Sequence, residues 1–170
     1  MGKKINKKGL SSIVATILLI ALTVVLVGTV WTIVTNLVEK STEGSESCFG
    51  IFEKVSLNSE YTCYNDSEIR FSIDVGDIDI EEILVGISVG GSSTTFKIKE
   101  TPSEIDNLIM YPGGSSSIII PSKNGGLTYV LNMDGAGLSG TPDLISIAPI
   151  IKGTQCDTSD SMNYIIRCST

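Results

Sequence analysis

The 170-residue sequence contains no histidine. That absence removes the commonest general base, the usual activator of a serine or cysteine nucleophile and a common metal ligand. Ser-His-Asp and Cys-His arrangements are therefore excluded. No G-x-x-x-x-G-K-[ST] segment occurs and no G-x-G-x-x-G stands in a strand-turn-helix setting, so a phosphate-cradling loop has no support. Paired carboxylates of the glycosidase kind remain available in principle, but nothing singles out a pair. Positive charge is scarce and unevenly placed. Lys3, Lys4, Lys7 and Lys8 all precede Leu10; without the first nine residues Lys+Arg falls from 12 to 8 against 19 Asp+Glu, taking the formal charge from -7 to -11. Such a chain repels polyanions, and no basic stripe with interleaved aromatics argues otherwise. The expectation is a non-enzymatic protein without a cofactor or metal and without a nucleic-acid partner.

Charge of either sign is missing altogether from Leu10 to Val38. A helix over those 29 residues is longer than the ~30 Å hydrocarbon layer of a bilayer requires, at about 1.5 Å per residue. The lysines before it fix a cytoplasmic N-terminus by the positive-inside bias, and Trp31 falls near the far interface, where indoles settle. A cleaved secretory signal fits poorly, because its apolar core is about 7–15 residues and ends in an A-x-A-like site. A plain single-pass anchor explains length, charge and orientation.

The junction Lys7-Lys8-Gly9-Leu10-Ser11-Ser12 carries more. A short basic leader ending Lys-Lys-Gly, followed at once by the apolar start Leu10-Ser11-Ser12-Ile13-Val14-Ala15-Thr16-Ile17-Leu18-Leu19, resembles the class III signal peptide of archaeal type IV pilins and archaellins. The resemblance covers about the first forty residues. It implies that a prepilin peptidase cuts between Gly9 and Leu10, that the helix then polymerises with copies of itself or related pilins, and that a β-sandwich head is displayed on a surface filament. Many bacterial relatives carry a glutamate at the position occupied here by Val14, a departure that favours the archaeal kind. Physical chemistry also favours removal of the leader, since unpaired ammonium groups in a dry helical core cost several kcal/mol each.

Around the helix, Ala21, Gly28, Thr32 and Thr35 gather on one side, with Ser12, Thr16 and Thr23 nearly opposite. Small residues on two faces suit a helix with neighbours on both sides. Alternatively each hydroxyl bonds its own helix carbonyl and signals nothing.

Beyond the helix, Glu39 to Ser47 is polar and aperiodic and reads as a linker. The expected organisation is a leader over 1–9, an apolar helix over 10–38, a linker over 39–47 and an exported antiparallel β-sandwich, Ig-like or related, over 48–170. Ile69, Phe71, Ile73 and Val75 alternate with Glu68, Arg70, Ser72 and Asp74, and Ile83, Val85, Ile87 and Val89 alternate with Glu82, Leu84, Gly86 and Ser88. Further strands are expected over 51–57, 94–99, 117–120, 127–132, 144–151 and 163–168, separated by glycine- and proline-rich turns. Cys48, Cys63, Cys156 and Cys168 all lie after the apolar run, with no C-x-x-C pair to suggest zinc, so two disulfides are expected. Four cysteines allow three connectivities; short local closure favours Cys48 with Cys63 and Cys156 with Cys168.

Two surface features remain. Asp74, Asp77, Asp79, Glu81 and Glu82 form the densest acidic stretch, which reads either as a calcium site or, preferably, as a solvated strand face, since EF-hand spacing is absent. Asn65-Asp66-Ser67 is an N-glycosylation sequon in a polar turn. The function expected is a pilus-like structural subunit, membrane-anchored before assembly and serving adhesion. The competing expectation is a single-pass protein presenting a β-domain as a receptor or solute-binding head.

Overall fold

The computed structural model describes the backbone of residues 7–51 and 53–169, and the side chains of the same residues except 7–12 and 39–47. Among the described residues a single helix, α1 (Lys7–Cys48), is followed by eleven strands. Contacts divide the chain into Met1–Glu43 and Gly44–Thr170. The helix therefore continues through the segment expected as a linker. Glu39 to Ser47 contains no proline, and its glutamates, serines and lysine tolerate a helix that the preceding apolar turns have already nucleated.

The second unit is a β-sandwich. One sheet has the order β11 (Ile166–Arg167), β2 (Cys63–Tyr64), β3 (Glu68–Val75), β7 (Gly125–Asn132) and β6 (Leu108–Tyr111), with β1 (Val55–Leu57) also on β3. The other has the order β10 (Asp160–Met162), β8 (Pro142–Ile151), β4 (Glu82–Val89) and β5 (Ser92–Lys99), with β9 (Thr154–Gln155) also on β8. All pairs are antiparallel except β11 with β2.

Alternation along β3 and β4 sends one set of side chains inward, and the inner residues of both sheets form one core. Ile69, Phe71 and Ile73 on β3 and Ile83 and Val85 on β4 have no exposed surface. Phe71 joins the layers: its ring lies 5.3 Å from that of Tyr129 on β7 and 6.3 Å from that of Phe96 on β5. Burying each such side chain stabilises the fold by about 1.5–3 kcal/mol. A Cβ on Gly126 would meet the Asp74 carboxylate opposite it in the β3–β7 ladder, and that side chain would have to shift to admit it.

Several expectations about strands change: the expected 51–57 shortens to β1, and the short β2, β9 and β10 lie outside the expected segments. The segment 117–120 makes only an isolated bridge, Ser103 with Ile118, although Ile118 is fully buried. Conversely, β6 was not anticipated, because Leu-Ile-Met-Tyr has no alternation and ends against Pro112.

The cysteine pairing also differs from the local one. Cys48 bonds Cys156 and Cys63 bonds Cys168, closing sequence separations of 108 and 105 residues. Sheet topology overrides short closure here. The parallel pairing of β11 on β2 sets Ile166 against Cys63, which carries Cys168 alongside, and the Cys168 N–H donates to the Tyr64 carbonyl. Likewise the β8–β9 turn returns the chain so that the Cys156 N–H donates to the Pro149 carbonyl, beside Ile51 and Cys48.

Candidate functional site

The helix is the first candidate, because its surface has no cover. From Ile13 to Val38 it is long and apolar enough to cross a membrane. Its large side chains remain exposed, from 48% at Val34 to 70% at Trp31. The threonine hydroxyls are already satisfied locally: Thr16 donates to the Ile13 carbonyl, Thr23 to Ile20, Thr32 to Gly28 and Thr35 to Trp31, all at 2.8–3.0 Å. Of the two readings of the small polar residues, self-satisfaction is the observed one for these threonines; the Ser12 side chain lies outside the described residues. Lys7, Lys8, Gly9 and Leu10 lie within the first turns of α1, and their side chains too fall outside the described residues.

The acidic stretch does not gather into one centre. Asp77, Asp79 and Glu81 lie on the segment between β3 and β4, which alternates in exposure like a strand but belongs to neither one. Lys123 reaches Asp77 at 3.1 Å and Asp79 at 3.7 Å. Its hydrogen bond and charge hold the Asp77 carboxyl below the usual carboxylate range, and Asp77 in return raises the Lys123 ammonium. Asp74 accepts from the Asn58 amide at 2.8 Å, and Glu81 from the Gly153 N–H at 2.9 Å. Glu82 faces away toward Lys97 and Lys99. Among the described residues, no three His, Cys, Asp or Glu side chains are placed to hold a metal ion.

Behind that loop lies a groove the sequence did not reveal. It encloses about 700 Å³ at the end of the sandwich where β3 and β8 finish and β4 and β7 begin. Ile78, Ile119, Pro121 and Leu127 supply apolar lining, while Glu100 and Lys152 supply charge. Its residues come from four separate segments, so only the folded topology assembles it. No family model matches this chain, and no curated protein matches it significantly. The functional reading therefore rests on the residues themselves.

Asn65 is exposed in the β2–β3 hairpin turn, and its side-chain oxygen accepts from the N–H groups of Ser67 and Glu68 at 3.0 and 2.7 Å. Asp66 between them pairs with Arg167 on β11. This tethers the sequon turn to the strand that carries Cys168. On the outer face of the same sheet the Arg70 guanidinium lies 4.0 Å from the centre of the Tyr111 ring, a cation–π contact. Its pairing across β7 has no signature in the sequence, because Arg70 and Tyr111 lie on strands that meet only through the sheet order β3-β7-β6.

Proposed function

We propose that this chain is a structural subunit of a type IV pilus-like surface filament, made as a membrane-anchored precursor, cleaved after Gly9 and polymerised through α1. The observation that carries the reading is the uncovered apolar surface of Ile13–Val38. Soluble proteins rarely expose contiguous apolar patches beyond a few hundred Å², so this surface requires lipid or other apolar helices around it. In a precursor the bilayer supplies that cover. In a filament, copies of the same helix supply it. Lys7-Lys8-Gly9 directly before the apolar run supports the second stage, because the leader charges are what a bundled helix must lose. The head, closed by two disulfides, suits an oxidising exterior. Its role in this reading is to present an acidic surface for adhesion, with the bilayer, a prepilin peptidase and other subunits as partners.

N-terminal sequencing of native protein is the direct test, and the expected start is Leu10-Ser11-Ser12-Ile13. Gly9→Leu is expected to give a folded, membrane-retained precursor and no filaments. Native protein that keeps Lys3 to Lys8, together with wild-type behaviour of Gly9→Leu, overturns the filament reading. The groove between β3 and β8 favours a second reading in that event, a single-pass protein whose head binds a ligand.

A further inference from the structure

Each sheet of the sandwich has two edges, and among the described residues three of the four are guarded. The edge at β6 is folded over by its own chain: the Met110 N–H donates to the Ser115 carbonyl, the Gly114 N–H to the Met110 carbonyl and the Leu108 N–H to the Ile105 carbonyl. The β1, β2 and β11 side is broken into strands of two or three residues. The β9 and β10 side is equally short, and Asp160 on β10 accepts the Leu57 N–H across the gap to β1. Short strands, returning loops and charge are the ordinary protections of a sheet edge.

β5 has none of them over most of its length. It is eight residues long, and Ser92-Ser93-Thr94-Thr95-Phe96 contains no charge and no proline. The hairpin fixes which backbone groups face outward. Gly90 and Gly91, both at positive φ, form a two-residue turn between Val89 and Ser92. In such a turn the flanking residues exchange both ladder bonds, so Ser92, Thr94, Phe96 and Ile98 bond inward to β4. Ser93, Thr95 and Lys97 then point their N–H and C=O groups outward. Two contacts at the end of the strand agree with this phase: the Glu100 N–H bonds inward to the Glu81 carbonyl, while the outward Lys99 carbonyl accepts the Ile120 N–H.

The geometry points to β5 as a docking edge for β5 of a second copy, paired antiparallel about a two-fold axis at Thr95. The described residues offer one long open edge, so among them only β5 against β5 pairs over that length between copies. In this register Thr95 faces its own counterpart and Ser93 faces Lys97 of the second copy, each exchanging backbone hydrogen bonds. Phe96, half-buried at the rim of the core, falls beside Thr94 of the second copy and loses solvent contact. No like charges oppose, because Lys97 meets a serine and is already drawn back toward Glu82 on β4 at 3.4 Å. The two five-stranded sheets become one continuous sheet. An isologous contact of this kind joins pairs and closes; a polar filament has no such two-fold along its length, so within a filament the same edge would link neighbouring filaments side by side.

The test uses the full chain in detergent micelles, with oligomeric state followed by sedimentation across a dilution series. Wild type is expected to reach a dimer. Thr95→Pro removes an outward N–H without touching the β4 ladder, and Thr95→Lys sets two like charges on the axis; each is expected to weaken dimerisation about tenfold or more. Under mild oxidation Thr95→Cys is expected to give a covalent dimer faster than Ser116→Cys, an exposed control on a different loop. A monomeric wild type, a dimer equally strong in Thr95→Pro and Thr95→Lys, or equal cross-linking at the two introduced positions overturns the proposal. All these outcomes are independent of leader cleavage, so they leave the filament reading to its own test.

Discussion

Between Ile13 and Val38 the large apolar side chains remain 48–70% exposed, whereas the core of the sandwich, built from the same isoleucines, valines and leucines, falls to 0–7%. Composition is alike in the two regions and the period is not. A helix apolar on every side has no polar face to turn to water, so no single partner surface can satisfy it. A strand with period two hides its apolar face against another sheet and leaves the other face wet. The head thus buries its apolar residues within one chain, while the helix leaves its own uncovered. Substitutions should separate the two regions cleanly.

The largest separation is expected from Phe71→Ala. It empties the contact between Tyr129 and Phe96 at the centre of the core, and should cost the head about 3–5 kcal/mol, read from denaturant unfolding. Membrane association of the helix should be unchanged. A smaller cost, about 3–4 kcal/mol, is expected when Cys63 and Cys168 are both replaced by serine. The sequence separation of 105 residues suggests more. With Cys48–Cys156 intact, however, the chain path that Cys63–Cys168 closes is roughly a quarter as long, and loop entropy grows only with its logarithm. Loss of both bridges together should then exceed twice the effect of losing this one.

Val24→Lys reverses the direction. A lysine at the middle of a membrane span costs about 2.5–3.5 kcal/mol by insertion scales, so membrane retention and any filament yield should fall while the head's unfolding midpoint stays where it was. A head destabilised by this change would show that the two regions are energetically coupled.

The sequence made the two regions legible to different depths. The helix announces itself through 29 residues without charge, and β3 and β4 through alternation, because both signals are local. The disulfides misled for the same reason: short closure is a local argument, and Cys63 meets Cys168 only because β11 adds in parallel beside β2. The groove and the Arg70–Tyr111 contact were likewise invisible, each assembled from segments that only the sheet order brings together. Glu39 to Ser47 failed differently. Its polarity reads as a break, but polar residues without proline can continue a helix that is already running.

Tyr129→Phe probes the core more gently. Its hydroxyl donates to the Ile119 carbonyl at 2.7 Å, and leaving that acceptor without a donor should cost about 1 kcal/mol. Burial pushes the phenol well above its ordinary value of 10.0. The folded state therefore keeps the proton that the unfolded state releases, so this contribution to stability is fully present below about pH 10 and is lost as pH rises beyond it. The stability of wild type should fall between pH 9 and pH 11 more than that of Tyr129→Phe. Equal slopes would mean that the phenol ionises without unfolding the core.

The smallest effect is expected from Lys123→Ala, on the exposed rim of the head. Asp77 and Asp79 have side chains 71% and 92% exposed, and an ion pair so open to solvent contributes little. The folded Asp77 carboxyl is nonetheless held below its ordinary value of 3.8, first by the Lys123 hydrogen bond and then by its charge. Whatever this pair contributes is present above that ordinary value and lost as pH falls through the lowered folded one. At neutral pH the substitution should lower the unfolding midpoint only slightly. As pH falls below about 4 even that difference should disappear, and the two proteins should converge. Nuclear magnetic resonance titration of the Asp77 carboxyl should show its midpoint rising toward 3.8 in Lys123→Ala, with the Asn124 and Lys54 interactions keeping part of the depression. A midpoint that does not move would show that Lys123 stays solvated and away from the loop. A large drop in stability at neutral pH would show that the loop over the groove is held by charge rather than by Ile78 and Ile80 beneath it, and that the head is less self-sufficient than its buried core implies.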